Sequence, residues 1–233
     1  MVRGFLAVVT IAALLVLASF ATADDHGFLS ALFGGHSVHG SGVMKSDERD
    51  LGPFDKIDLE GGFDLKITIG QPQKVVLTID DNLIDYIKTR VHGKTLQIFS
   101  DHSYSSDHGG KIAITVPSLE AVSSAGSGTV TISGLSGEKF EYSLAGSGDL
   151  IADGKVVNLD ISVDGSGNVD TRELDADRVE VVINGSGDVK VKALKQLNGT
   201  VNGSGDIEYS GDPEDVTHHV SGSGTITQSR GHI

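Results

Sequence analysis

Three groups of residues in this chain could do chemistry. A Gly-Ser-Gly triplet followed by a small polar or acidic residue, as in VVINGSGDVKV (Val181 to Val191), could be a phosphate cradle, a calcium loop or a nucleophile turn. The pairs Asp101-His102 and Asp107-His108, with His218-His219 further on, offer the imidazole and carboxylate ligands that zinc and copper take. Asp170, Glu173 and Asp175 are carboxylates that could act as acid and base on a polysaccharide.

Each reading meets a chemical requirement. A phosphate loop needs a helix after its glycines and a lysine at fixed spacing, but strand-like residues follow here and no Gly-Lys-Ser/Thr occurs. A nucleophile needs one activated serine and a matched base, whereas six equivalent serines stand here without a histidine or carboxylate column to serve them. For calcium, the residues after the triplets (Thr129, Asp149, Asn168, Asp188, Asp206 and Thr225) resemble part of the calcium-binding nonapeptide roll. Such rolls carry their motif at both turns of a coil; here one turn has it, and two of the six copies end in threonine.

The remaining reading is structural. Glycine turns a corner where a Cβ would clash, and a small serine lets like residues stack and hydrogen-bond from coil to coil. SDHSYSSDHGGK around Asp101 to His108 reads as a solvated loop, with metal binding there or at the row after the triplets as the alternative. No residue is assigned a catalytic, cofactor-binding or metal-ligating role, and the chain is read as a non-enzyme without a cofactor.

The elements that position these residues follow from the repeat. The triplet recurs at Gly126-Ser127-Gly128, Gly146-Ser147-Gly148, Gly165-Ser166-Gly167, Gly185-Ser186-Gly187, Gly203-Ser204-Gly205 and Gly222-Ser223-Gly224, in steps of 20, 19, 20, 18 and 19 residues. Two residues before it stand Ser124, Leu144, Val163, Ile183, Val201 and Val220; four before stand Val122, Tyr142, Ile161, Val181, Gly199 and His218. After it come Val130, Leu150, Val169, Val189, Ile207 and Ile226, then Ile132, Ala152, Thr171, Val191, Tyr209 and Gln228. A period of two on both flanks predicts two short strands per repeat, with these columns inward and Asp160, Ser162, Glu180, Lys190 and Lys192 outward. Gly134, Gly154 and Gly211 mark a second turn. Such a unit cannot bury its apolar face alone, so the copies must stack about 4.8 Å apart. The fold class is all-β, a parallel β-helix or β-solenoid with repeats of about 19 residues. Antiparallel hairpins in a sandwich are the alternative.

Before the repeats, strands are expected near Phe54 to Leu59, Phe63 to Ile69, Lys74 to Ile79, Thr95 to Phe99 and Lys111 to Val116, with a helical turn over Asn82 to Val91. Residues 1–23 read as a secretory signal peptide: Arg3, an apolar run from Phe5 to Phe20, then Ala21-x-Ala23. That run is shorter than the ~20 residues a bilayer span needs, so no stable membrane span is expected after cleavage. No cysteine stands at the cleavage site to take a lipid. Residues 24–51, with a short helix at Phe28 to Phe33, read as a flexible lead segment, 52–228 as the solenoid and 229–233 as a tail. The net charge of -14 argues against nucleic acid and anionic lipid as partners. Lacking cysteine and tryptophan but holding 31 glycines, an exported chain must gain its stability from repeated stacking.

Together, Gly40-Ser41-Gly42, Arg49, Phe54-Asp55-Lys56-Ile57, Gly62-Phe63-Asp64-Leu65, Asn82-Leu83-Ile84, Leu96-Gln97-Ile98 and the later Gly-Ser-Gly-Asp series resemble the head GIN domain family of auto-transporter adhesins. The resemblance implies a right-handed β-helix and an exported location in periplasm, at the cell surface or outside, and no defined biochemical activity. An auto-transporter also implies a C-terminal membrane barrel; this chain ends ITQSRGHI, so export without auto-transport is expected. The function expected is that of an exported binding or structural protein contacting envelope or host-surface glycan or protein, with self-association through end coils as a further option. The alternative is a polysaccharide-binding or polysaccharide-cleaving β-helix enzyme.

Overall fold

The computed structural model describes residues 37–229. The expected signal peptide, the helix at Phe28 to Phe33 and all of the tail but Ser229 lie outside the described residues.

Seventeen strands occur among the described residues. The first nine are β1 (Val38–His39), β2 (Met44–Arg49), β3 (Lys56–Glu60), β4 (Phe63–Ile69), β5 (Lys74–Asp80), β6 (Ile87–His92), β7 (Thr95–Ser100), β8 (Tyr104–Ser105) and β9 (Gly110–Val116). The repeats supply β10 (Ala121–Gly126), β11 (Thr129–Gly146), β12 (Asp149–Gly165), β13 (Val169–Gly185), β14 (Val189–Gly203), β15 (Ile207–Ser210), β16 (Asp215–Gly222) and β17 (Ile226–Gln228). All pairing within the repeats is parallel, which excludes the hairpin sandwich.

Before the triplets the register follows the sequence columns residue for residue, whereas it shifts at the second turn, where Gly154 pairs with Leu135 rather than with Gly134. Gly126 pairs in turn with Gly146, Gly165, Gly185, Gly203 and Gly222, and Val122 with Tyr142, Ile161, Val181, Gly199 and His218. One more inward column, Phe140, Leu159, Val179, Leu197 and Val216, extends the alternation by a further pair of residues. Most of the inward residues are buried into one continuous core. In the last coil Val216, Val220 and Ile226 are only partly buried and His218 is exposed, because no coil among the described residues lies beyond it.

Where a column breaks, the neighbours fill in. Gly199 leaves a gap within a column of large residues, and the Cδ1 atoms of Ile226 and Ile207 lie 3.1 and 3.3 Å from where its Cβ would stand. Ser124, among leucine and valine, and Tyr142 both bury a hydroxyl without a hydrogen-bond partner. Burial also pushes the Tyr142 phenol up, with the Asp149 charge adding to the effect. Tyr142→Phe is therefore expected to be neutral or to stabilise by up to ~1 kcal/mol, and Ser124→Val to stabilise by a similar amount, since a buried unpaired hydroxyl keeps its desolvation cost. Denaturant midpoints at unchanged m-value check both.

The first half departs from a simple repeat. β3 and β4 form a coil beneath β10 and β11, and β7 and β9 form another beneath β3 and β4, so a later segment lies under an earlier one. β5, β6 and β2 then pair antiparallel at this end. The helical turn expected over Asn82 to Val91 is only a 3-10 turn at Ile84–Tyr86, because Ile87 onward is drawn into β6 by its partner β7. Within the expected lead segment, Met44–Arg49, polar and without apolar alternation, is held as a strand by β5 rather than by its own pattern.

The family-like motifs in this half clamp that segment down. A Cβ on Gly40 would collide with the Asp80 carboxylate, which accepts from Gly42 N at 2.6 Å. Ser41 Oγ donates to Asp81 at 2.5 Å, while the Asn82 side chain accepts from Ser41 N at 2.9 Å and donates to the His39 carbonyl at 2.8 Å.

Candidate contact surfaces

The triplets are corners. At the last five of the six, the serine N–H donates to a glycine carbonyl one coil back, from Ser147 to Gly126 at 3.0 Å through Ser223 to Gly203 at 2.9 Å. The coil-to-coil bond expected of the serine hydroxyls is made by the backbone instead, and the hydroxyls point outward, because the corner glycines bring main chain against main chain.

The row after the triplets is a structural ladder as well. Asp64 Oδ1 accepts from Thr129 N at 3.2 Å, Asp149 Oδ1 from Asn168 N at 2.9 Å, Asp188 Oδ1 from Asp206 N at 3.1 Å, and Asp206 Oδ1 from both Thr225 N (2.7 Å) and Thr225 Oγ1 (2.8 Å). One carboxylate oxygen of each is thus committed to its neighbouring coil. Before the triplets, Asn184 donates to Asp164 at 2.7 Å and Asn202 to Asn184 at 3.0 Å, forming an exposed amide ladder.

The other candidates separate. His102 Nδ1 lies 2.7 Å from Asp101, and its ring packs 4.7 Å from Tyr86, whereas Asp107 and His108 are exposed further along the loop. Among the described residues no three His, Cys, Asp or Glu side chains converge as metal ligands. His218 and His219 alternate on β16 opposite Gly199 and Thr200, and both are exposed. Asp170 takes Arg172 through two bonds, at 2.9 and 2.5 Å, which hold its carboxyl below the usual range. That is opposite to what a general acid needs. Asp175 is tied to Lys192 at 2.8 Å.

What the coils do assemble is one broad flat side. The outward residues before the triplets align as Ser123, Ser143, Ser162, Val182, Thr200 and His219, beside a column of Glu141, Asp160, Glu180 and Asn198. Four of the six residues in the first column are serine or threonine, and the strands beneath them are fixed by the core. Lys139 contacts Glu141 and lies 2.9 Å from Asp160, leaving Glu180 without a cation of its own. Burial, then the Asp160 charge, raises the Glu180 carboxyl above its ordinary value. A raised acid costs folded-state stability as pH climbs from its unfolded to its folded value. Glu180→Gln should therefore be more stable than wild type at pH 7, with the difference closing below pH ~4, as thermal midpoints across pH will check.

The opposite side is less even. A shallow depression of about 310 Å³ lies over Ile151, Asn168, Asp170 and Lys190, and Ile151 is 52% exposed.

Comparison with known proteins follows this geometry. The profile of the family described as "Putative auto-transporter adhesin, head GIN domain" matches residues 53–213. A solved structure described as a putative adhesin from Bacteroides fragilis NCTC 9343 superposes with a TM-score of 0.67 at 23% identity, over 83% of this chain and 100% of that one. A putative lipid binding protein from Parabacteroides distasonis ATCC 8503 gives 0.56 at 25% identity, over 84% and 100%. A putative adhesin from Parabacteroides merdae ATCC 43184 gives 0.56 at 17% identity, over 83% and 99%. No curated protein matches the chain. Stacked coils cornered by glycine, and a profile that spans most of them, lead to one assignment: the chain belongs to the head GIN domain family.

Proposed function

We propose that this is an exported, non-enzymatic binding protein that contacts an envelope or host-surface glycan or protein through the flat side carrying Ser123, Ser143, Ser162 and Thr200. The observation that carries this reading is the contrast between the two kinds of outward residue. The ladder carboxylates and Asp175 are tied to a neighbouring coil and Asp170 to Arg172 on its own strand, while the hydroxyls of the flat side stand in register and face outward. A solenoid offers such an extended surface at no further conformational cost. Export rests on the N-terminal sequence and agrees with the adhesin descriptions of similar proteins.

The test is capture by the purified mature chain from a panel of envelope glycans, host-surface glycans and proteins, and phospholipid vesicles. Vesicles are included because one similar structure is described as a lipid binding protein. Capture of a glycan or protein is expected, weakened at least tenfold by Ser143→Arg with Ser162→Arg at an unchanged unfolding midpoint. An empty panel, binding to vesicles alone, or capture indifferent to both arginines would overturn the proposal.

A further inference from the structure

In the coil built from β7 and β9 the triplet is absent, and the loop Asp101 to Gly109 takes the place of the corner. Next to it in the stack, Gly61-Gly62 turns the corner of the β3 and β4 coil directly against Gly126. Between this loop and that corner lies a pocket of about 440 Å³, lined on one side by Gly61, Gly62 and Gly110 and on the other by His102, Ser103 and Tyr104. Its volume falls in the range of ligand sites, about 300–1,000 Å³.

We propose that this pocket binds a neutral saccharide. The proposal rests on the reading of the chain as a binding protein, though not on the flat side.

Four observations support it. The loop is held from several directions: Ser103 and Ser105 carbonyls accept from Val38 N (3.0 Å) and Gly40 N (2.8 Å), His39 Nδ1 meets Ser105 Oγ at 2.8 Å, and Ser106 Oγ donates to Asp80 at 2.5 Å. A pocket walled by such a loop is formed before its ligand arrives. Its glycine side is bare backbone by necessity, since a Cβ on Gly110 would enter the Phe63 ring and Gly61 has φ +115°. Gly110 is buried and Gly61 N–H is committed to the Ala125 carbonyl at 2.8 Å, but Gly61 and Gly62 are exposed, so a hydroxyl can approach the main chain closely at Gly62. Tyr104 is half-buried, its ring 6.3 Å from Phe63, so it presents a supported aromatic wall to the C–H face of a sugar. His102 is oriented by Asp101 at Nδ1, which leaves Nε2 for a ligand, and Ser103 is exposed at the rim.

Charge selects among ligands. Among the described residues no lysine, arginine, aspartate or glutamate lines the pocket; of the carboxylates bonded to its lining residues, Asp80 holds Ser106, and Asp101 holds His102 and is paired with Lys88 at 3.2 Å. Phosphate, sulfate and uronate would find no lysine or arginine among the lining residues to pair with. A lipid tail would meet peptide groups and serines that it cannot pair.

The experiment is calorimetric titration of the mature chain with galactose, glucose, mannose, N-acetylglucosamine, lactose and cellobiose, in wild type, Tyr104→Ala, His102→Ala and Ser103→Trp. Binding of at least one sugar is expected, weakened at least tenfold by Tyr104→Ala, several-fold by His102→Ala, and abolished by Ser103→Trp, which closes the rim. Thermal unfolding of each variant separates lost binding from lost fold, and the exposed Ser103 site keeps the test available if Tyr104→Ala unfolds. The proposal is overturned if none of these sugars binds, or if binding survives both Tyr104→Ala and Ser103→Trp. Surface capture that responds to Ser143→Arg and Ser162→Arg but not to the pocket variants would leave the flat-side reading standing and remove this one.

Discussion

Gly185→Val is expected to cost more than ~4 kcal/mol and to leave little folded protein, a loss in the range reserved for named structural defects. Two effects add. Gly185 has φ +144°, a conformation side chains rarely adopt, and holding a β-branched residue there costs ~1–3 kcal/mol. Its Cβ would also lie deep inside the contact distance of the Gly165 carbonyl oxygen, and that oxygen cannot retreat because it accepts from Ser186 N at 2.8 Å. Repair would need the coils to separate, which breaks the ladder on both sides. The control is Gly134→Ala. Gly134 also has positive φ, +75°, but nothing lies within 4 Å of its Cβ position, so only the backbone preference is lost, ~1–2 kcal/mol. Circular dichroism against denaturant distinguishes the two; equal losses would mean that conformation, not coil contact, sets the glycine requirement.

Phe140→Ala is the second large effect, about 3–5 kcal/mol. The ring is fully buried at the head of the column that continues through Leu159, Val179, Leu197 and Val216. The ring is enclosed by a close-packed core, so the cavity can collapse only by moving backbone held in the β11–β12 ladder. Val216→Ala, in the partly buried last coil, should cost much less. Hydrogen exchange should show the same gradient, with early opening of β16 and β17 and late opening of β12 and β13.

The repeats were readable in sequence because each coil repeats one pattern. Columns aligned on Gly126 to Gly222 predicted the pairing of Val122 through His218 without error, since a parallel in-register stack converts sequence period directly into contact. The first half was not readable in that way. Gly61-Gly62 lacks the serine, the loop from Asp101 replaces a corner, and the coil containing Thr95 to Val116 lies under one that precedes it in the chain. None of this leaves a period. Polar Met44–Arg49 becomes a strand through β5, a contact its own residues do not announce. For the candidate site the lesson is similar. The Asp101 to His108 loop drew attention for its ligand-type side chains, but the structure brings Tyr104 and His102 together with glycines some forty residues earlier. No local spacing encodes that meeting. The hydroxyl side was implicit in the outward columns, yet which outward carboxylates would be tied up depended on where Arg172, Lys192 and the ladder aspartates found partners.

The most direct test sets the corner serines against the flat side. Surface-component capture is measured for wild type, for Ser147→Ala/Ser166→Ala/Ser186→Ala, and for Ser143→Arg/Ser162→Arg, all at matched folded fraction. Capture retained by the triple alanine variant and lost by the arginine pair is the expected result, with the triplets serving as scaffold and the outward face making contact. Capture lost with the corner serines, or kept with the arginines, would contradict it.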